Sequence, residues 1–165
     1  MSKLILNKKY NSLFNSDARY FIITGGRGSG KSFAVTVFLT LLTMTKGIRI
    51  LFTRYTMVSA HLSIIPEFLE KISLLGFENL FSINKAEVLN MSNNSDILFR
   101  GIKTSAGNQT ASLKSLQGIS CWVLDEAEEL IDEDIFDTID LSIREKDTQN
   151  RIILILNPVT KEHWI

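Results

Sequence analysis

With a single cysteine, the chain of 165 residues can form no internal disulfide. Cys121 lies in an apolar run, so the sequence predicts a buried thiol in a reducing compartment and no cysteine metal site. The only prolines are Pro66 and Pro158, and no Pro/Gly/Ser-rich linker or internal repeat divides the chain. Charge of one sign is missing too: 18 Lys and Arg balance 18 Asp and Glu. Net charge therefore gives no support to nucleic-acid binding, which would need a local patch or another domain. No apolar run approaches the roughly 20 residues of a membrane span, and Met1-Ser2-Lys3-Leu4 lacks a signal-peptide core, so no membrane partner is expected. What remains is ordinary globular composition, 45% hydrophobic and 22% charged, at a single-domain length. The ending His163-Trp164-Ile165 is apolar where chain ends are usually polar. It predicts a fragment, cut where a second domain would begin.

Strands and helices alternate along the chain. A strand at Tyr20–Thr24 precedes a glycine-rich loop and a helix over 31–45, stopped by Lys46-Gly47. A strand over 48–53 follows, then an amphipathic helix over 56–75, expected to kink at Pro66 and closed by Gly76. Segments 86–91 and 96–100 flank Ser92-Asn93-Asn94-Ser95 as a β-hairpin. Segment 101–112 is small and polar and is expected to be mobile. A strand over 119–124 leads into an acidic helical region over 126–145, and the last strand covers 151–156. Nearly continuous apolar strands imply a sheet covered on both faces. The expected fold class is α/β, a three-layer sandwich with a mostly parallel central sheet and its ligand at the carboxyl ends of the strands.

Gly25-Gly26-Arg27-Gly28-Ser29-Gly30-Lys31-Ser32 matches G-x-x-x-x-G-K-[ST], the P-loop, in its required strand–loop–helix context. Glycines let successive backbone N–H groups face nucleotide phosphates, above the positive end of the following helix. Lys31 is expected to reach the β- and γ-phosphates and the Ser32 hydroxyl to ligate Mg²⁺. The candidate cofactors are therefore ATP and Mg²⁺. Arg27, inside the loop, either neutralises transition-state charge or is an exposed loop arginine. Asp125 and Glu126 end the apolar run Cys121-Trp122-Val123-Leu124, the Walker B arrangement. Asp125 would hold the metal, and Glu126 would orient and deprotonate the attacking water. The bland alternative is that both merely begin an acidic helix. The later acids, from Glu128 to Asp134, are expected to form a solvated face. If the last strand lies beside the P-loop strand, Asn157 projects toward the γ-phosphate as a sensor. Otherwise it is a turn-forming Asn before Pro158.

These residues, with Phe52-Thr53-Arg54-Tyr55, 112–119, Ala127-Glu128-Glu129-Leu130, Leu141-Ser142-Ile143-Arg144 and Asn157-Pro158 followed by His163-Trp164, resemble the large terminase subunit of tailed bacteriophages. The resemblance covers most of the chain. It implies a P-loop NTPase of the additional-strand, catalytic-glutamate type over 1–165, hydrolysing ATP to move double-stranded DNA into the prohead in the host cytoplasm. Portal protein, small terminase subunit and a homo-oligomeric ring are the implied partners. Asn157 matches the motif that couples hydrolysis to movement. Arg54 and Arg144 match family arginines whose contact is either phosphate or a neighbouring subunit. The adenine-contacting segment falls within 10–19, with Tyr10, Phe14 and Arg19 as candidates. Nothing corresponds to the family's C-terminal nuclease, so this chain is not expected to cut DNA. Lys103 and Lys114 are possible DNA contacts, with solvated loop lysines as the alternative. Competing readings are a P-loop kinase, a helicase-type ATPase, and a GTPase suggested by Asn84-Lys85-Ala86-Glu87, a near match to a guanine-reading motif.

Overall fold

The computed structural model describes residues 4–57, 60–104, 107–108, 113, 115–158 and 162–165. Its centre is one sheet built from β1 (Tyr20–Thr24), β2 (Arg49–Thr56), β3 (Phe81–Ile83), β4 (Glu87–Asn90), β5 (Ser95–Thr104), β6 (Gly107–Asn108), β7 (Ile119–Asp125) and β8 (Arg151–Leu156). The strand order is β1-β8-β7-β2-β5-β4-β3, with β6 paired to β5. The first five strands of that order are mutually parallel, and β3, β4 and β6 are antiparallel additions. Among the described residues, the α-helices with both ends described are α1 (Ser12–Asn15), α2 (Lys31–Leu42), α3 (Ala60–Leu74) and α4 (Glu133–Asp140).

Alternation along the central strands β2, β7 and β8 explains their apolar sequence, whereas β1 at the sheet edge leaves Tyr20 and Ile22 exposed. On one face Ile50, Phe52, Cys121, Val123 and Ile153 pack with Val35 and Leu39 of α2 and Phe68 and Ile72 of α3. On the other, Leu51, Trp122, Leu124, Ile152 and Leu154 meet Leu130 and the α4 residues Phe136 and Ile139. A strand buried on both sides has no polar positions to spare. The expected α/β sandwich with a mostly parallel sheet is what the chain adopts. Cys121 is buried between layers, and burial pushes its thiol up to about 12.

Four local expectations need correction. Strand β2 runs on to Thr56, because Arg54 and Thr56 still pair with Gly101 and Lys103 of β5. Strand β5 likewise continues to Thr104 and turns back through β6, so part of the segment expected to be mobile is sheet; 105–106 and 109–112 lie outside the described residues. Strand β3 went unread, since three residues carry too little periodicity. The expected acidic helix over 126–145 is broken. Glu126 is left-handed (φ 54), Ala127–Glu129 forms a single 3-10 turn, and Leu130 is extended and fully buried. Only then does Asp132 cap α4, accepting from the Asp134 N–H at 3.0 Å.

Candidate nucleotide-binding site

The loop after β1 needs glycine at Gly28 (φ 73) and Gly30 (φ 80), both left-handed. Gly30 precedes α2 without any capping side chain, so the first N–H groups of the helix are free to meet an anion. The Tyr10 hydroxyl donates to the Ser29 carbonyl at 3.0 Å and pins the loop from below. Lys31 is 8% exposed. Its ammonium donates to the carbonyl of Gly25, to that of Gly26 at 3.1 Å, and to Asn157 Oδ1 at 3.2 Å. Ser29 Oγ is buried without a hydrogen-bond partner.

Strand pairing brings the acids to this loop. Strand β8 lies between β1 and β7, with Thr24 opposite Leu156 and Asp125 opposite Ile155. On the other side of β7, Thr53 of β2 pairs with Leu124, which sets Arg54 beside Asp125. Arg54 donates from Nε at 2.8 Å and from Nη2 at 2.6 Å to Asp125 Oδ2, and its Nε stands 3.6 Å from Glu126 Oε2. Burial works against the Arg54 charge, but Asp125 and Glu126 outweigh it and hold the guanidinium above its ordinary value. Glu126 is raised, first by burial and then by Asp125, with Arg54 opposing.

Arg27, Gly28, Ser29, Gly30, Lys31, Ser32, Arg54, Asp125, Glu126, Glu128 and Asn157 all line one cleft of about 390 Å³. The structure thus gathers the loop, the acid pair and Asn157 at the carboxyl ends of β1, β7 and β8. Arg27 is exposed at this cleft. Sequence reasoning missed the place of two of the residues. Arg54 had only family resemblance and its position after the second strand to mark it. Glu128, expected on a solvated face, instead accepts from Asn157 Nδ2 at 2.6 Å. No local pattern separates it from the exposed Glu129 beside it.

Other candidates do not line this cleft. Tyr10 is buried, Phe14 stacks edge-on against Phe38 at 5.1 Å, and Arg19 pairs with Asp140 at 2.7 Å; none lines the cleft. Arg144 lines a shallow pocket with Ile119, at the opposite end of β7 from Asp125. Lys103 is exposed on β5 over the Tyr55 ring, and Lys114 lies outside the described residues. Asn84 closes on its own turn, donating to Glu87 Oε2 at 3.0 Å, and borders no part of the cleft.

The residues present fit a magnesium triphosphate. The unpartnered Ser29 hydroxyl, the uncapped helix start and Lys31 supply anion-binding groups at one end, and Asp125 a carboxylate across from them. Among the described residues no group of three or more His, Cys, Asp or Glu could hold a metal. Mg²⁺ beside phosphates requires only one or two protein carboxylates. Among the described residues no helix is long and apolar enough to cross a membrane.

Comparison with known proteins adds family and fold. Residues 17–165 match the family described as phage terminase large subunit. No curated protein sequence matches. The large terminase of a thermophilic bacteriophage superposes with a TM-score of 0.75 at 12% identity, over 98% of this chain and 41% of that one. The large terminase ATPase domain of Thermus phage P74-26 gives 0.69 at 17% identity, over 94% and 66%. The N-terminal domain of the DNA packaging ATPase of bacteriophage phi29 gives 0.66 at 16%, over 94% and 80%. The chain thus spans about two fifths of the first of these proteins, whose structures include complexes with ADP and ATP-γ-S.

Proposed function

Because this chain belongs to the phage terminase large-subunit family, we propose that residues 1–165 form the ATPase domain that powers packaging of double-stranded DNA into the prohead. The observation that carries the reading is one cleft shared by Lys31, the Asp125–Glu126 pair and Asn157. In it the loop N–H groups and Lys31 bind the β- and γ-phosphates, and Ser32 and Asp125 hold Mg²⁺. The metal, when bound, offsets charge on the phosphate oxygens. Glu126 takes a proton from the water attacking the γ-phosphorus. The bond to the bridging oxygen of ADP breaks, leaving ADP and phosphate. Burial raises the Glu126 carboxyl, a direction that suits a base. Arg27, exposed at the cleft, neutralises charge developing on the transferred phosphoryl group. The complexes of the thermophilic-phage terminase with ADP and ATP-γ-S support nucleotide as ligand. The viral genome packaging motor assembly of bacteriophage Phi-29, similar in fold, supports a role in a DNA-packaging assembly, with portal protein, a ring of copies, the small terminase subunit and the host cytoplasm following from the family reading.

The test is phosphate release from ATP in water with no acceptor added, which also separates a hydrolase from a kinase. Glu126→Gln is expected to keep ATP affinity and lose about 10²–10⁴ in turnover. Lys31→Ala is expected to weaken binding and turnover together. Full turnover in the Glu126→Gln protein would remove the assigned base.

A further inference from the structure

Glu128 has a contact pattern that a surface acid on a turn does not need. Its Oε1 accepts from Asn157 Nδ2 at 2.6 Å, while its Oε2 is buried with no hydrogen-bond partner. The other end of the same amide, Asn157 Oδ1, accepts from Lys31 Nζ at 3.2 Å. An ammonium on one side and a carboxyl on the other allow the amide one orientation. Turned over, it would set its NH₂ against Lys31 and its oxygen against Glu128, two repulsive contacts in a part-buried site. The turn that carries Glu128 is itself held from behind: His163 Nε2 lies 3.1 Å from the Glu128 carbonyl, and Trp164 Nε1 donates to the Leu130 carbonyl at 2.6 Å.

We propose that Glu128 is a positioning residue that locks the Asn157 amide between Lys31 and the 126–130 turn, and so ties the phosphate-binding lysine to the turn bearing Glu126. This rests on reading the cleft as a nucleotide site. Lys31 is at present turned onto its own loop carbonyls. Phosphate drawing it away changes the partner of Asn157 Oδ1, and Glu128 is the group through which that change reaches the turn. A hydrogen-bonded chain with a fixed orientation transmits displacement, whereas a freely rotating amide would absorb it.

The test uses the 165-residue chain and the variants Glu128→Ala and Glu128→Gln. Alanine removes the acceptor, and glutamine keeps an acceptor oxygen without the charge. In Glu128→Ala, kcat is expected to fall about tenfold with KM within about threefold, the size of one lost charge-assisted hydrogen bond. The parent is expected to prefer ATP-γ-S over ADP in titration calorimetry, and Glu128→Ala to bring that ratio toward one. Glu128→Gln is expected to restore both to within about threefold of the parent. A Glu128→Ala protein with parental kcat and nucleotide preference overturns the proposal, as does a glutamine variant as impaired as the alanine one. A double-mutant cycle of Glu128→Ala with Asn157→Ala in urea unfolding, without nucleotide, decides the contact independently of activity. Additive effects overturn it, and coupling of about threefold or more in the unfolding constant supports it. A parent that binds no nucleotide removes the proposed function, while the cycle still tests the contact between Glu128 and Asn157.

Discussion

Arg54 does for Asp125 what a divalent cation would do. Its guanidinium reaches Asp125 Oδ2 at 2.6 Å while the Asp125 side chain is 7% exposed and that of Arg54 is 25% exposed. A carboxylate this buried, left without a partner, is costly. Arg54→Ala is therefore expected to destabilise the nucleotide-free protein by about 3 kcal/mol, the low end for a broken buried pair, because one partner is part-exposed. Millimolar Mg²⁺ is expected to recover more stability in the variant than in the parent, since the vacated Asp125 now offers a free carboxylate. Urea unfolding with and without Mg²⁺ measures both. An unchanged midpoint, or the same Mg²⁺ effect in both proteins, would refute the stand-in role. The same residue shows the limit of local reading. Arg54 and Asp125 are 71 positions apart, and nothing in either neighbourhood announces the other.

At the scale of elements, strands β2, β7 and β8 act as a register gauge for the site. A buried polar link helps hold β2 on β7. Trp122 Nε1 donates to Thr53 Oγ1 at 2.9 Å, and that hydroxyl donates to the Val123 carbonyl at 3.0 Å. Both side chains are fully buried. Thr53→Val keeps the shape and strands the indole N–H, an expected cost of about 1–3 kcal/mol in unfolding free energy. Thr53→Ser is expected to retain most of it. A valine variant as stable as the parent would show that the link carries no weight. Elements that are continuous in sequence were legible: β1 and β8 follow from apolar runs with clear stops, and the hairpin of β4 and β5 from its Asn-rich turn, where Asn94 takes φ 62. The 126–130 turn was not. Its acidic, weakly amphipathic pattern suits a helix. Burial of Leu130 and the bond from Trp164 to its carbonyl bend the chain away instead.

The whole molecule sets its chemistry at one rim of the sheet and leaves the centre inert. Cys121 sits in that centre, 1% exposed, with its thiol pushed up to about 12. At pH near 8 almost no thiolate exists in the folded state, so alkylation is expected to proceed only as fast as the molecule unfolds. Bound nucleotide is expected to slow it further by stabilising the native state. Mass spectrometry of iodoacetamide adducts over time checks this, and prompt labelling of the folded protein would contradict it.

Two things were settled along the chain itself. The glycine loop and the apolar run into Asp125-Glu126 are short-range patterns, because backbone freedom and strand burial act over a few residues. Tertiary structure alone decided that β8 stands between them, that Arg54 rests on Asp125, and that Glu128 rather than Glu129 enters the cleft. Strand order and the desolvation of a charge arise from pairing distant segments, and no window of local sequence contains that pairing.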